Sequence, residues 1–528
     1  MKILVSDKMS AEGIEFLESQ PGFTVVNRPG MDPDELLKEV ADAHALIVRS
    51  KTKVKPEVIA AAKNLRVVGR AGAGVDNIDL EAATRRGIVV MNTPGGNSVS
   101  AGEHAFALLI SLARKIPFAH ASLKSGQWNK AAFMGSELQG KTLGIVGAGK
   151  IGSVLAKRAL GFEMSVLVYD PFISESYAAD LGVELCDLDE LYAQSDFISL
   201  HSPMNEKTKH MINRETLAKM KGGAILVNAA RGGLINEADL IEALESGQLA
   251  GAALDVFENE PNVSEALRNT DNVIFTPHIA GSTLEAQAKV GFAIAVQITN
   301  YLKEDVIVNA VNFPSMSTTE MASLEPYIRL GEKLGSLVGQ ICRTRVSEIG
   351  LRYYGDLPQM SYKPLGNYIL KSILAPVLSE EVNAVNARKM AEDRGISIIE
   401  TVSNRERAYS NLISIQLRGQ DSMEWVEGAI LREGNLRLVS VDGISAETQL
   451  GDHILFIRND DTPGVIGQLG TVLGNANINV ASFVLGRSDS HDHAVGVVNT
   501  DSGISEEVLE QIGEIDAVQF ARIVRLSE

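Results

Sequence analysis

The chain has 528 residues, of which 45% are hydrophobic and 22% charged, and a formal net charge of −18. That length is too great for one hydrophobic core and implies three or four domains. The acidic balance argues against a nucleic-acid or anionic-membrane surface. Two cysteines far apart, Cys186 and Cys342, make no disulfide framework and no metal-ligand pair, and fit a reducing cytoplasm. No stretch reaches the roughly 18 apolar residues of a membrane span.

In chain order, residues 1–95 alternate short apolar runs with helical patterns. Lys2–Ser6 reads as a strand rather than a signal peptide, and Ala11–Ser19 as a helix. Ala45–Val48, Val67–Val68 and Ile88–Met91 follow as buried-strand candidates, as parallel strands covered on both faces should look. Asn97–Arg114 predicts a long apolar helix between domains. Thr142–Val146, Ser165–Tyr169, Phe197–Leu200, Ala224–Asn228 and Gly251–Asp255 predict a doubly wound parallel sheet. Leu284–Leu302 is a second long helix, placed to return the chain to the first domain. Ser315–Thr319 reads as a linker, and Pro314–Thr319 as a hinge. Helices are expected at Glu325–Ile341 and Lys371–Asp393, with strands after them. Residues 452–528 run β-α-β-β-α-β, a ferredoxin-like order.

Two patterns carry chemistry. Thr142–Val146 runs into Gly147, Gly149 and Gly152 and then a helical pattern; such glycines let the backbone approach a pyrophosphate at a helix N-terminus. Asp170 ends the next strand, where a carboxylate accepts from the ribose diol and repels a 2′-phosphate. The expected cofactor is therefore NAD rather than NADP. Downstream, Arg231, Glu260 and His278 each follow a candidate strand of the same sheet. Histidine suits proton transfer near neutral pH, a carboxylate fixes its tautomer, and a guanidinium grips a substrate carboxylate through paired hydrogen bonds. His44, His104, His120, His210 and His453 read as structural. His491 and His493 alternate along one strand without a third ligand, so no metal is expected.

Gly69–Asp79, Gly147–Gly152, His201–Pro203, Asn228–Gly233, Ala253–Pro261 and Thr276–Gly281 together resemble the D-isomer-specific 2-hydroxyacid dehydrogenases, in order, across residues 1–313. The resemblance implies an α/β architecture: a Rossmann-type nucleotide domain (97–281) inserted in a flavodoxin-like substrate domain (1–96 and 282–313). It implies Arg231, Glu260 and His278 as the catalytic trio. It also implies Asp255 at the nicotinamide end, with Lys150, Ile151, Ser202, Ala229, Ala230 and Gly281 lining the cofactor site. Within the family, the contexts of Arg49, Arg70 and Gly72 are those of members acting on 3-phosphoglycerate. Arg49 and Arg70 would meet the phosphate end, and Lys130, beside Trp128, would reach across a dimer interface. Residues 314–451 resemble an α+β intervening allosteric-substrate-binding domain, and 452–528 an ACT domain. There Asn459, Asp461, Asn477 and Asn479 would bind serine as effector between two chains; the other reading is a dimerisation surface alone. A homo-oligomer, dimer or tetramer, is expected. A glyoxylate or hydroxypyruvate reductase of the same superfamily, and a non-catalytic NAD-sensing interaction protein, are the competing functions.

Overall fold

A computed structural model describes residues 1–526 apart from 317, 358, 359, 361, 404, 406, 408, 410, 421, 432, 433, 489 and 491. Four sheets organise the described chain. Strands β1 (Lys2–Val5), β2 (Thr24–Asn27), β3 (Ala45–Val48), β4 (Val67–Arg70) and β5 (Val89–Met91) form a parallel sheet in the order 2-1-3-4-5. Helices cover it on both faces, which is why β1, β3 and β5 are almost wholly apolar and buried. The helix Leu284–Glu304 closes one face through Ile294 and Ile298, which pack on Gly69 of β4 where a Cβ would not fit.

The second sheet is parallel with the order 12-11-10-9-6-7-8. Its strands are β6 (Thr142–Val146), β7 (Ser165–Tyr169), β8 (Glu184–Leu185), β9 (Phe197–Leu200), β10 (Ala224–Asn228), β11 (Leu249–Leu254) and β12 (Val273–Phe275). The strand order turns back between β6 and β9, the topological switch point at which such sheets bind ligands. The helix Ser98–Ala113 packs over β10, β11 and β12 with its Ala105, Leu109 and Leu112 face buried. The two passages between these sheets touch: a Cβ on Gly281 would meet Asn97, and the hydroxyls of Ser100 and Thr283 lie 2.7 Å apart.

Beyond residue 313 the structure corrects the sequence in two places. Phe313 and Met316 are both buried, one in the first sheet's core and the other in the core beyond, and a helix starts at Thr318. The expected hinge is therefore pinned at both ends by apolar side chains; its Ser317 lies outside the described residues. Lys371–Asp393 is two helices, Leu365–Leu374 and Ala387–Asp393. Pro376 accounts for the break, because proline lacks the N–H and disfavours helical backbone just before it.

The third sheet is mixed, in the order 14-13-15-16-17-18. It holds β13 (Glu348–Tyr354), β14 (Ser397–Ser403), β15 (Leu412–Arg418), β16 (Met423–Ile430), β17 (Leu436–Val441) and β18 (Ile444–Gln449). The fourth is antiparallel in the order 20-21-19-22, with β19 (His453–Asp460), β20 (Val480–Arg487), β21 (His493–Thr500) and β22 (Val518–Arg525). One apolar cluster runs through both: Leu334, Ile349 and Val426 share it with Phe456, Val495 and Val524. The last two units are therefore welded by a common core.

Candidate active site

The cofactor turn is built by backbone constraints. Gly147 sits at φ +97°, a conformation L side chains rarely adopt, and a Cβ on Gly152 would stand 2.1 Å from the Gly147 carbonyl. A Cβ on Gly149 would meet nothing within 4 Å, so the backbone there is open to a close-lying ligand. The helix Lys150–Gly161 begins without a side-chain cap, leaving its first N–H groups for an anion. Asp170 is held by N–H donors from Ala148 and Phe172, both at 2.9 Å, one to each oxygen. Each oxygen keeps a further lone pair for a ribose hydroxyl. These residues fit a dinucleotide. Lys150 Nζ donates to the Pro94 carbonyl at 3.3 Å, and the Ser202 hydroxyl to the Val146 carbonyl at 3.2 Å. Beneath the turn His201 is pushed down to about 4 by burial and stays neutral.

His278 and Glu260 come together as the sequence suggests. His278 Nδ1 lies 2.7 Å from Glu260 Oε2, and the other Glu260 oxygen accepts the Phe257 N–H at 3.1 Å. Burial works against ionising Glu260. The hydrogen bond and charge of His278 and the Phe257 N–H outweigh it and hold the carboxyl below the usual range. With Nδ1 committed to the carboxylate, Nε2 is left for a substrate proton. A cavity of about 260 Å³ lined by Phe257, Pro261, Val263 and Phe275 backs the pair with apolar surface.

Arg231 follows β10 on a turn braced by Asn228, which is fully buried; its amide donates to the Arg231 carbonyl and accepts from the Ala230 N–H. The guanidinium lies against Gly74 and pairs with Asp76 at 3.2 Å. A Cβ on Gly74 would stand 2.1 Å from Arg231 Nη2, and one on Gly72 2.0 Å from Arg70 Nη1. Gly72 also sits at φ +148°, where an L side chain is strained, and both guanidinia lie beside this loop. Arg49 Nη1 donates to Gln287 at 2.8 Å, and its backbone is held by the buried Asp7. Arg70 Nε is buried with no acceptor among the described residues. Burial, then the Arg231 charge, lowers the Arg70 pKa to about 10. Lys130 stands 6.0 Å from the ring centre of exposed Trp128.

The resemblance places Asp255 at the nicotinamide end. It is fully buried, and its carboxylate accepts from Thr276 Oγ1 and from the Ile279 and Ala280 N–H groups. These bonds tie it to the loop that carries His278. Asp7, Asp76 and Asn228 are braces that residue-type reasoning passes over. Asp7 and Asn228 stand at strand ends, where an Asx side chain is the signal of a braced turn.

At the far end of the chain, Asp461 is expected to offer free oxygens to an ammonium group. It is instead clamped by Arg487, with Nε 2.7 Å from one oxygen and Nη2 3.0 Å from the other. Asn459 is buried, donates to the Asp460 carbonyl, and its Oδ1 has no partner. Asn477 adopts the left-handed conformation at φ 55°, and the Asn479 amide donates to Asp501. His491 lies outside the described residues, while His493 faces Asp460 at 3.6 Å.

Three family models match in succession. They are the NAD binding domain of D-isomer specific 2-hydroxyacid dehydrogenases over residues 106–280, the D-3-phosphoglycerate dehydrogenase intervening domain over 323–442, and the ACT domain over 453–517. The chain is 39% identical over 525 residues to a D-3-phosphoglycerate dehydrogenase of Bacillus subtilis, covering 99% of each. It is 41% identical over 530 residues to one of Archaeoglobus fulgidus, covering 100% of each. Among solved structures, D-lactate dehydrogenase from Escherichia coli matches with TM-score 0.54 and 29% identity, covering 59% of this chain and 100% of its own. A glyoxylate reductase from Paecilomyes thermophila matches with TM-score 0.54 and 31% identity, covering 59% of this chain and 98% of its own.

Proposed function

This chain belongs to the D-isomer-specific 2-hydroxyacid dehydrogenases, in their D-3-phosphoglycerate dehydrogenase branch, and from that premise we propose how its residues divide the work. The reaction is oxidation of 3-phospho-D-glycerate to 3-phosphohydroxypyruvate with NAD, the entry step of serine biosynthesis. NAD, held by the Gly147–Gly152 turn and Asp170, supplies the hydride acceptor. Arg231 pairs with the substrate carboxylate and polarises the oxygen at C2 as it becomes a carbonyl. His278 Nε2 takes the 2-hydroxyl proton as the C2–H bond breaks, and Glu260 stabilises the resulting imidazolium before the proton passes to solvent. Arg49 and Arg70 hold the phosphate, joined by Lys130 from a second copy.

The observation that carries this reading is the 2.7 Å His278–Glu260 pair. Its test is NADH formation from 3-phospho-D-glycerate and, side by side, from D-glycerate. Strong preference for the phosphorylated acid is expected; equal rates on both point to a hydroxypyruvate-type reductase, and NADH binding without turnover points to a sensor. Adding serine at millimolar concentration should lower the rate. The effector's ammonium would displace Arg487 from Asp461, and the core shared by the last two units offers a route for the change. A rate indifferent to serine, with no heat of binding, removes the effector role.

The domains run 1–96 with 282–313, 97–281, 314–451 and 452–528, one sheet to each. The chain works as a homo-oligomer in the cytoplasm, a reading supported by two free thiols and by the apolar surface of residues 116–134. There Trp128 is 77% and Met134 80% exposed, more than a lone chain leaves to water without reason. Trp128→Glu should shift the sedimentation coefficient towards the monomer; an unchanged value places the interface elsewhere. No single helix among the described residues is long and apolar enough to cross a membrane.

A further inference from the structure

A fully buried carboxylate needs a complete set of donors, and Asp255 draws its set almost entirely from the loop it restrains. Thr276 Oγ1 donates at 2.6 Å, Ile279 N–H at 2.8 Å and Ala280 N–H at 2.9 Å. The Asp255 backbone carbonyl accepts the N–H of His278 itself at 2.9 Å. The clamp therefore closes on both sides of His278, whose φ of 53° places it in the left-handed region that a histidine rarely adopts. One more side chain joins, and it comes from another element. His104, on the helix Ser98–Ala113, has Nε2 at 3.3 Å from Asp255 Oδ1 and 3.1 Å from Thr276 Oγ1. Facing a carboxylate and a hydroxyl oxygen that has already given its own proton to that carboxylate, Nε2 must carry a hydrogen.

We propose that His104 is a positioning residue for the reaction: its Nε2–H completes the Asp255–Thr276 clamp and so holds His278 where its imidazole meets both Glu260 and the substrate. The helix bearing His104 begins at Ser98, beside the point where Ser100 and Thr283 join the two passages between the first two sheets. The imidazole is thus a second tie, beside the chain itself at Gly281–Thr283, between these passages and the catalytic loop.

The inference rests on His278 as the proton acceptor, so its test reads the loop as well as the rate. His104→Gln keeps an N–H donor at the reach of Nε2, and His104→Leu keeps bulk without one. In full-length protein loaded with NADH, amide exchange across residues 276–281 should rise at least ten-fold in His104→Leu and stay within three-fold in His104→Gln. With substrate, kcat should fall at least ten-fold in the leucine variant with KM little changed, and recover to at least a third of the parent value in the glutamine variant. Exchange unchanged in His104→Leu, or raised equally in both variants, overturns the proposal. Should the leucine variant not fold, Thr276→Val removes the Thr276 donor to the same oxygen, and unaltered exchange there overturns it as well. If the parent enzyme turns over no 2-hydroxy acid, the assignment of the reaction falls, while the exchange readout still judges the clamp.

Discussion

His278→Gln should lower kcat by about 10³ to 10⁴-fold while leaving NADH affinity nearly unchanged. Glutamine places a neutral amide at the reach of Nε2 and removes the basic nitrogen, so the alcohol proton has no acceptor when the hydride departs. Positioned general bases contribute typically about 10² to 10⁴-fold, and the upper part of that range is expected because no second imidazole is paired with Glu260. The side chain is 46% exposed, so the loss of packing is small and the melting temperature should stay close to the parent value. Initial rates with 3-phospho-D-glycerate and fluorescence titration with NADH measure the two quantities. A variant retaining a tenth of kcat would move the base elsewhere. The Glu260 carboxyl, held below its ordinary range, remains ionised as pH falls through that range. The acid limb of kcat/KM should therefore not follow this carboxylate at its ordinary range. By the same sign, the stability that the pair contributes is present above the ordinary carboxylate pKa and is lost as pH falls through the lowered one.

Which features the sequence reveals follows from the range of the forces involved. β3, β6 and β9 are legible because a parallel strand buried on both faces must be apolar throughout, and the neighbouring residues record that directly. The Gly147–Gly152 turn is legible because its glycines answer a local backbone demand. His278, Glu260 and Arg231 are legible because strand ends of one sheet converge. The partners of those groups are not. Asp76 beside Arg231, Arg487 on Asp461 and His104 on Asp255 are pairings across 155, 26 and 151 positions of sequence. Nothing in the local pattern of either member registers them. His104 reads as structural for this reason: its apolar helix face predicts burial, but the carboxylate it meets is set by how that helix crosses β11. The pinned hinge is a different failure. A Ser/Thr-rich stretch suggests freedom, yet two apolar side chains, Phe313 and Met316, suffice to anchor both ends.

Arg70→Gln should raise KM for 3-phospho-D-glycerate by about 10 to 150-fold, the equivalent of one charge-assisted hydrogen bond at roughly 1.5–3 kcal/mol, and it should make the free enzyme more stable. The two effects have one cause. Arg70 is half-buried, close enough to Arg231 and Arg49 to be repelled by both, and its pKa is lowered to about 10, chiefly by burial. A cation whose folded-state pKa lies below its unfolded value destabilises the fold throughout the range below that pKa, and the penalty fades only as pH rises through about 10. At neutral pH Arg70 is therefore charged at the expense of the fold, with an Nε that finds no acceptor among the described residues. A dianionic phosphate bound here would supply both the acceptor and the countercharge. Substrate should accordingly raise the melting temperature of the parent enzyme by mass action, and this rise should largely vanish in Arg70→Gln, whose ligand-free melting temperature should be a few degrees higher. Arg49→Gln combined with it should weaken substrate further without affecting NADH, since Arg49 donates to Gln287 on the substrate side of the cleft. Differential scanning fluorimetry with and without substrate, beside initial rates, decides between the alternatives. An unchanged KM would place the phosphate away from this cluster, and a fall in ligand-free stability would mean that the guanidinium serves the loop at Gly72 rather than the substrate.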